Sequence, residues 1–203
     1  MNIEMLLLAI TAYLIGSIPT GIIVAKLLGA ADPRTVGSGN IGATNVGRAA
    51  GKAAGIITLI GDVLKGFLII LLAFYIFGNS PKEVSIAGLA VFLGHLFPLF
   101  LKFRGGKGVA TALGVFLAIG PLQAVLALVL FIIIAAIFRY VSVGSIIAAA
   151  SVPVLFSFFT SSQPYVPLAA IIAVFIILKH SDNIKRLIQG TENKIGRKKP
   201  DNT

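Results

Sequence analysis

Long apolar runs alternate along this chain with short polar segments that are rich in glycine and basic residues. Several runs reach about 20 residues, the length that a helix needs to cross the ~30 Å hydrocarbon core of a bilayer. The pattern predicts helices near residues 5–28, 54–78, 84–101, 109–120, 121–138, 143–161 and 164–178. We therefore expect an all-α membrane protein, a bundle of seven transmembrane helices.

The boundary between the fourth and fifth predicted helices falls at Gly120-Pro121. Residues 109–138 form an apolar stretch longer than a single crossing requires, and a Gly-Pro dipeptide favours a tight turn. Two helices are therefore predicted here. The alternative is one long kinked helix, which would place Arg139 and the basic C-terminal segment on the opposite side of the membrane.

The distribution of basic residues predicts the orientation of the bundle. With the N-terminus outside and the C-terminus in the cytoplasm, the inner segments carry fifteen Lys and Arg residues and the outer loops carry Lys82 alone. Lys65 lies inside a predicted span. Because basic residues concentrate in cytoplasmic loops, this bias favours seven crossings.

Composition narrows the possible functions. Of 203 residues, 57% are hydrophobic and 12% charged, and the mean hydropathy is +1.00. The formal charge of +10 sits in short loops between apolar runs, a pattern typical of membrane orientation and not of nucleic-acid binding. There is no cysteine and only two histidines, so disulfides, thiolate chemistry and a metal site are not expected. The first apolar run is long, has no basic residues before it and ends without a small-residue cleavage site. It therefore predicts a transmembrane helix and not a removed signal peptide.

The first polar stretch runs from Val36 to Arg48 and reads VGSGNIGATNVGR. Its four glycines permit sharp turns that expose backbone N–H groups, its Ser, Thr and Asn side chains add hydrogen-bond donors, and Arg48 adds a fixed charge. This composition indicates a phosphate-binding segment. The alternative is a turn of small residues packed beneath the helices.

The second polar stretch, Gly94 to Thr111, ends one predicted span and opens the next. Lys107 lies among Gly105, Gly106 and Gly108, just before a helix. Free N–H groups, the helix dipole and an ammonium group converge there, which favours a dianion. The alternative is that Lys102, Arg104 and Lys107 only set the orientation of the chain in the membrane. This explanation suits Lys102 better than Lys107.

The third polar stretch, His180 to Gly196, follows the last predicted span. Apolar residues at helical spacing predict a short amphipathic helix that lies on the membrane surface. His180 and Asn183 are three residues apart, so they face one side of that helix and can instead bind a substrate that enters from water.

Three further polar residues lie outside these stretches. Asp62 and Lys65 are one helical turn apart inside a span, where an isolated charge costs about 2.5–3.5 kcal/mol, and we expect them to pair. A structural ion pair is favoured over a catalytic one. Ser142 follows Arg139 and Tyr140 in the remaining inner loop and can reach the same pocket.

The stretches GSGNIGATNVGR, GHxFPxFLKFRGGKGVAT and HxxNIKRLxxGxE, with DxxKG at Asp62 to Gly66, resemble the motifs of the acyl-phosphate:glycerol-3-phosphate acyltransferase family (PlsY type). The resemblance covers the chain end to end. It implies an enzyme of the bacterial inner membrane, with its site on the cytoplasmic side, that moves an acyl group from acyl phosphate to the 1-hydroxyl of glycerol 3-phosphate in phospholipid synthesis. It also implies one transmembrane acyltransferase domain, residues 1–196, before a basic cytoplasmic tail, 197–203.

The catalytic candidates on the matching positions are Arg48, Lys107 and His180. The substrate-binding candidates are Ser38, Gly39, Asn40, Asn45, Gly105, Gly106, Gly108, Ser142, Asn183 and Glu192. No metal or cofactor is expected, and the partners are the two substrates and membrane lipid. The family associates the second motif with glycerol 3-phosphate.

The chemistry needs positioning and charge neutralisation more than a protein nucleophile, because acyl phosphate already carries a good leaving group. We therefore expect direct transfer without an acyl-enzyme. The general base is either His180 or a phosphate oxygen of a substrate. A transporter or flippase for a phosphorylated anion is the alternative function, although no internal repeat supports it.

Overall fold

The computed structural model describes residues 2–196, and this part of the chain is helical. The ten α-helices are α1 (Ile3–Gly16), α2 (Thr20–Leu27), α3 (Ala43–Ala50), α4 (Lys52–Phe77), α5 (Pro81–Leu96), α6 (Val109–Ile119), α7 (Pro121–Phe138), α8 (Val141–Ser157), α9 (Val166–Lys179) and α10 (Ser181–Ile188). Short 3₁₀ turns lie at Leu99–Leu101 and Gln163–Tyr165. The predicted tail, 197–203, lies outside the described residues.

The first predicted span, 5–28, is broken, which the apolar pattern did not reveal. Helices α1 and α2 are bent by 41° at a three-residue break before Thr20. Pro19 has no N–H to donate to the helix, and the Ser17 hydroxyl bonds back to the Tyr13 carbonyl at 2.8 Å. Beside the break, Gly16 lies so close to the backbone of Val91 and Gly94 that a Cβ would not fit.

Small residues bring α4, α5 and α6 into close contact at the centre of the bundle. Gly66 on α4 lies against the Thr111 carbonyl of α6, and Gly114 on α6 lies against the Val63 carbonyl of α4. Such small-residue contacts let helix backbones approach where the surrounding lipid is as apolar as the side chains. The core beside them is aliphatic and aromatic, with Phe92 fully buried.

The predicted division at Gly120-Pro121 is confirmed as a helix boundary. Helix α6 ends at Ile119 and α7 begins at Pro121, because proline suits the first turn of a helix but not its interior. Helix α8 follows at Val141, and Phe156 near its end packs edge-on against Phe116 of α6, with ring centroids 5.3 Å apart. Helices α6, α7 and α8 therefore enclose a common space.

Three helical segments are long and apolar enough to cross a membrane by themselves, Lys52–Phe77, Pro81–Leu101 and Pro121–Phe138. The count rises to five when two bent pairs are each taken as one span. These pairs are α1 with α2, and Gln163–Lys179 with α10, which bends away by 52°. Large apolar side chains such as Leu68 and Ile132 are exposed on the outer faces of these helices, as expected of lipid-facing positions.

Candidate active site

A cavity of about 320 Å³ opens where the three polar stretches meet. One end is polar, and the remainder is a mostly apolar limb between helices α6, α7 and α8. The polar lining includes Ser38, Asn40, Thr44, Asn45, Arg48, Asp62, His95, Lys107, Ser142, Ser145, His180, Asn183, Glu192 and Asn193. The limb is lined by Leu113, Phe116, Ala124, Ala127, Leu128, Phe131, Ala148, Ala149 and Val152.

Lys107 occupies the position that the sequence predicts, directly before a helix. Helix α6 begins at Val109, and Gly108, in a left-handed conformation, caps it. The first N–H groups of a helix have no partner within the helix, so this end of α6 presents donors and the positive end of its dipole to the cavity. Gly108, Val109 and Ala110 line the cavity wall beside Lys107.

Lys107 also contacts the third polar stretch, since its Nζ donates a hydrogen bond to Oδ1 of Asn183. Burial lowers the pKa of Lys107 to about 8, although the nearby Glu192 carboxylate opposes the shift. Burial therefore disfavours the ammonium form of Lys107. An anion bound beside it would stabilise that form.

Glu192 joins the polar groups around Lys107 into one network. Its Oε1 accepts hydrogen bonds from Asn183 Nδ2 at 2.6 Å and from Ser142 Oγ at 2.9 Å, and its Oε2 pairs with Arg186 Nε at 2.7 Å. Although burial raises it, these bonds bring the pKa of Glu192 below its ordinary value. We call Lys107, Ser142, Asn183, Arg186 and Glu192 the mouth cluster.

The segment after α10 is tied to the loop before α8, which holds Glu192 over the cavity. The backbone N–H of Ile195 donates to the Arg139 carbonyl at 2.8 Å, and Arg139 Nη2 donates to the Ile195 carbonyl at the same distance. Lys194 lies over the ring of Tyr140, 5.5 Å from its centroid. The mouth cluster thus links the second and third motifs to the first turn of α8, where Ser142 lies and not in the loop that the sequence predicted.

His180 lies at the junction of α9 and α10 and is 2% exposed. Its Nδ1 lies 2.8 Å from the Ile176 carbonyl, which can only accept, so Nδ1 carries the proton and Nε2 is an acceptor. Burial, reinforced by the charge of Lys107, lowers the pKa of His180 to about 4. The imidazole is therefore neutral near pH 7. The predicted amphipathic helix α10 is present, and its Asn183 is buried at the cavity while Ile188 is exposed.

The first motif is a loop followed by helix α3, which presents Arg48 at the cavity wall. Asn45 organises the loop: its Nδ2 donates to the carbonyls of Pro33, Val36 and Asn40 at 2.7, 3.0 and 2.9 Å. Its Oδ1 accepts from the Ser38 N–H at 2.9 Å. Because all of these bonds are internal, Asn45 lines the cavity with an amide already used by the loop.

Three glycines predicted to bind substrate do not line the cavity: Gly39, Gly105 and Gly106. The expected exposure of N–H groups to an anion is wrong for the last two. Gly105 N–H donates to the Leu96 carbonyl at 3.2 Å, and Gly106 N–H donates to the His95 carbonyl at 3.1 Å. These glycines are needed for close packing. Gly39 occupies a left-handed turn at φ +68°.

The predicted ion pair between Asp62 and Lys65 is confirmed at 2.8 Å, and both side chains are buried. A third member was missed: His95 Nδ1 lies 2.8 Å from Lys65 Nζ and 3.6 Å from Asp62 Oδ1. We call Asp62, Lys65 and His95 the buried cluster. His95 is the second residue of the second motif, and that position is the only feature of the sequence that pointed to it.

The mouth of the cavity carries unpaired positive charge. Among residues 2–196, ion pairs within 4.0 Å join Arg34 to Asp32, Lys65 to Asp62 and Arg186 to Glu192, but Lys107 and Arg48 have no carboxylate partner at that distance. The same residues contain no group of three His, Asp or Glu side chains placed to hold a metal ion. A phosphorylated ligand with an apolar tail therefore matches this cavity in charge and polarity.

The helices and this cavity describe a membrane protein whose cavity has a polar, cationic part and an apolar part. The family model described as glycerol-3-phosphate acyltransferase matches residues 6–190. Glycerol-3-phosphate acyltransferases of Syntrophotalea carbinolica and Geobacter sulfurreducens are 47% and 51% identical to this chain, each over 93% of it and 96% of the relative.

Two solved structures are also similar, both of PlsY, an integral membrane glycerol 3-phosphate acyltransferase. Its glycerol 3-phosphate form has a TM-score of 0.91 and 44% identity, and its lysophosphatidic acid form has a TM-score of 0.89 and 42% identity. Each comparison covers 95% of this chain and 96% of the other. The chain belongs to the glycerol-3-phosphate acyltransferase family and is an integral membrane acyltransferase. These relatives do not favour the transporter alternative.

Proposed function

We propose that this enzyme transfers a fatty acyl group from acyl phosphate to the 1-hydroxyl of glycerol 3-phosphate, giving lysophosphatidic acid and inorganic phosphate. One observation carries the proposal: the unpaired cations Lys107 and Arg48 lie at the polar end of a cavity whose other end is apolar. Two phosphate groups repel each other, and two cations at the same wall offset that repulsion. The apolar limb accommodates the acyl chain.

The similar solved structures support the acceptor and the product. One is the glycerol 3-phosphate form of PlsY and the other is its lysophosphatidic acid form. In our proposal Lys107 and the first turn of α6 bind the phosphate of glycerol 3-phosphate, and Arg48 with Ser38 and Asn40 binds the phosphate of the acyl donor. Asn183, Ser142 and Glu192 orient Lys107.

The transfer is a direct displacement. The glycerol 1-hydroxyl oxygen attacks the carbonyl carbon of the acyl phosphate, the carbon–oxygen bond to phosphate breaks, and that bond's electron pair leaves with phosphate. His180 Nε2, held as an acceptor by the Nδ1 bond to the Ile176 carbonyl, orients the hydroxyl. The leaving phosphate finally takes the proton, because a phosphate with a second pKa of about 6 is more basic than an imidazole with a pKa near 4.

The donor decides the enzyme class, so the first experiment compares donors. Purified protein in detergent, given glycerol 3-phosphate, is expected to form lysophosphatidic acid from palmitoyl phosphate and not from palmitoyl-CoA. The polar end of the cavity offers the cations Lys107 and Arg48 to a phosphate headgroup. Equal use of palmitoyl-CoA would refute the donor, and absence of turnover with both would refute the activity. A chelator is expected to leave the rate unchanged.

The membrane arrangement that fits this function has seven crossings, with the N-terminus outside and the cavity mouth in the cytoplasm of a bacterial inner membrane. Three long helices, two bent pairs and the shorter apolar helices α6 and α8 together supply the seven. Fifteen Lys and Arg residues on one side, against Lys82 on the other, support this orientation. Residues 1–196 then form the transmembrane domain and 197–203 a cytoplasmic tail.

Single cysteines test this arrangement in a chain that has none of its own. Cysteines in place of Asn79 and Gln163, both exposed, are expected to react with an impermeant thiol reagent from outside the cell. A cysteine in place of the exposed Thr35 is expected to react only after permeabilisation. Labelling of Thr35→Cys in intact cells would overturn the orientation.

A further inference from the structure

The buried cluster has no part in the reaction as proposed, yet it places three ionisable side chains inside the bundle. Asp62, Lys65 and His95 are all less than a tenth exposed. Lys65 Nζ lies 2.8 Å from Asp62 Oδ1, 2.8 Å from His95 Nδ1 and 3.4 Å from the Ile18 carbonyl. The cluster thus connects α4, α5 and the break between α1 and α2.

The contacts among these groups fix the orientation of the His95 ring. A lysine ammonium only donates, so Nδ1 of His95 accepts from Lys65 and the ring proton is on Nε2. Lys65 is itself held by Asp62 and by the Ile18 carbonyl. Rotation of the ring would remove a hydrogen bond from a buried cation, which a low-dielectric interior strongly disfavours.

The loop that carries Lys107 packs directly on this fixed ring. Gly106 N–H donates to the His95 carbonyl at 3.1 Å. A Cβ on Gly106 would overlap His95 Nε2, and one on Gly105 would overlap the His95 carbonyl oxygen. Only glycine fits at either position, and Lys107 is the next residue. The residue after Lys65 also contacts α6, because Gly66 packs against Thr111 in the first turn of that helix.

From these contacts we infer that Asp62, Lys65 and His95 are positioning residues, which set the place of the Gly105–Lys107 loop and thereby hold Lys107 against the phosphate of glycerol 3-phosphate. The inference rests on the proposed function. Asp62 and His95 also line the cavity. In this inference the cluster acts through the backbone of the loop, which packs on His95. Loss of the ring contact therefore weakens acceptor binding while the fold and donor binding persist.

The central variant is His95→Asn. The asparagine amide oxygen can accept from Lys65 in place of Nδ1, but the side chain lacks the Nε2 atom that faces Gly106. We expect the KM for glycerol 3-phosphate to rise about fivefold or more, with the KM for palmitoyl phosphate within about twofold of wild type. The unfolding temperature is expected to change little, and a purely structural ion pair would not produce this split.

A size exchange tests the contact itself. Gly106→Ala adds a methyl group that meets His95 Nε2, and we expect it to raise the KM for glycerol 3-phosphate about tenfold or more. His95→Asn removes that atom, so the double variant is expected to bind glycerol 3-phosphate about threefold or more better than Gly106→Ala alone. Gly88→Ala is the control: its nearest contacts are the Ile70, Val115 and Leu168 side chains, and we expect an unchanged KM.

Each other outcome overturns the inference. A wild-type KM in His95→Asn or in Gly106→Ala shows that the contact does not position Lys107. The same conclusion follows if the KM of the double variant for glycerol 3-phosphate rises by as much as the product of the increases in the two single variants. Failure of His95→Asn to fold assigns the cluster to stability alone. Wild-type protein assayed in parallel separates these results from a failure of the proposed function, in which wild type itself would not turn over.

Discussion

The mouth cluster and the buried cluster are both built from a lysine joined to a carboxylate network, but their charges differ. In the buried cluster the charge of Lys65 is neutralised by Asp62, and the His95 ring accepts a further hydrogen bond from Lys65. In the mouth cluster Glu192 is matched by Arg186, which leaves Lys107 bonded only to the neutral amide of Asn183. Arg48 adds a second unmatched cation nearby. A balanced cluster stabilises and positions, whereas a cluster with surplus charge can bind an anion.

The largest effect is expected where the balance of the buried cluster is broken. Asp62→Ala leaves the Lys65 ammonium buried without a carboxylate, which we expect to lower the free energy of unfolding by about 3–5 kcal/mol. Denaturant or thermal unfolding in detergent measures it. The double variant Asp62→Leu/Lys65→Met removes both charges, and we expect its free energy of unfolding to fall less than that of Asp62→Ala. A single variant as stable as wild type would contradict the pairing.

The next effect separates binding from folding at the mouth. Lys107→Ala removes an unpaired cation, and we expect kcat/KM to fall at least tenfold, about 1.4 kcal/mol or more of lost transition-state stabilisation. The unfolding temperature is expected to stay close to that of wild type. Lys82→Ala, an exposed cation away from the cavity, is the control. Near-normal turnover of Lys107→Ala would show that Lys107 does not bind substrate and serves only the orientation of the chain in the membrane.

The pH dependence sharpens the role of Lys107. Because burial lowers its pKa to about 8, the ammonium that binds phosphate is lost as the pH rises through 8, well below the ordinary pKa of lysine. We expect kcat/KM to fall by roughly tenfold per pH unit above 8. Lys107→Arg stays charged and should show no such fall up to pH 10, whatever its absolute rate. A fall of equal steepness in both proteins would assign the titration to another group.

The smallest effect is expected at the edge of the mouth cluster. Ser142→Ala removes one of the three donors to Glu192, a bond of about 0.5–1.5 kcal/mol, and we expect kcat/KM to fall by about two- to fivefold. Ser151→Ala, whose hydroxyl bonds only to the Ala148 carbonyl of its own helix, is the matched control. Equal rates in Ser142→Ala and Ser151→Ala would show that Glu192 does not need Ser142.

The elements that a local pattern determines were predictable from the sequence. Apolar runs located the membrane helices, Gly120-Pro121 located a helix boundary, and the glycines around Lys107 located the start of α6. The spacing of Asp62 and Lys65 indicated their pairing because both lie on one helix. Each of these features depends on residues only a few positions apart.

Features that depend on how the helices pack were not predictable. His95 is thirty residues from Lys65, and nothing in either span indicates which of their faces meet. The break between α1 and α2 interrupts a continuous apolar run. Gly105 and Gly106 resembled a phosphate-binding loop because composition shows where backbone N–H groups can be exposed, and not which carbonyls already accept from them.

The central claim is that acyl phosphate and glycerol 3-phosphate occupy the cavity together and that the acyl group passes directly between them. The most direct test is the initial rate measured while both substrate concentrations are varied. Direct transfer in a ternary complex predicts double-reciprocal lines that intersect, with phosphate released only when glycerol 3-phosphate is present. Parallel lines, together with an acyl-enzyme isolated after incubation with labelled palmitoyl phosphate alone, would contradict the account.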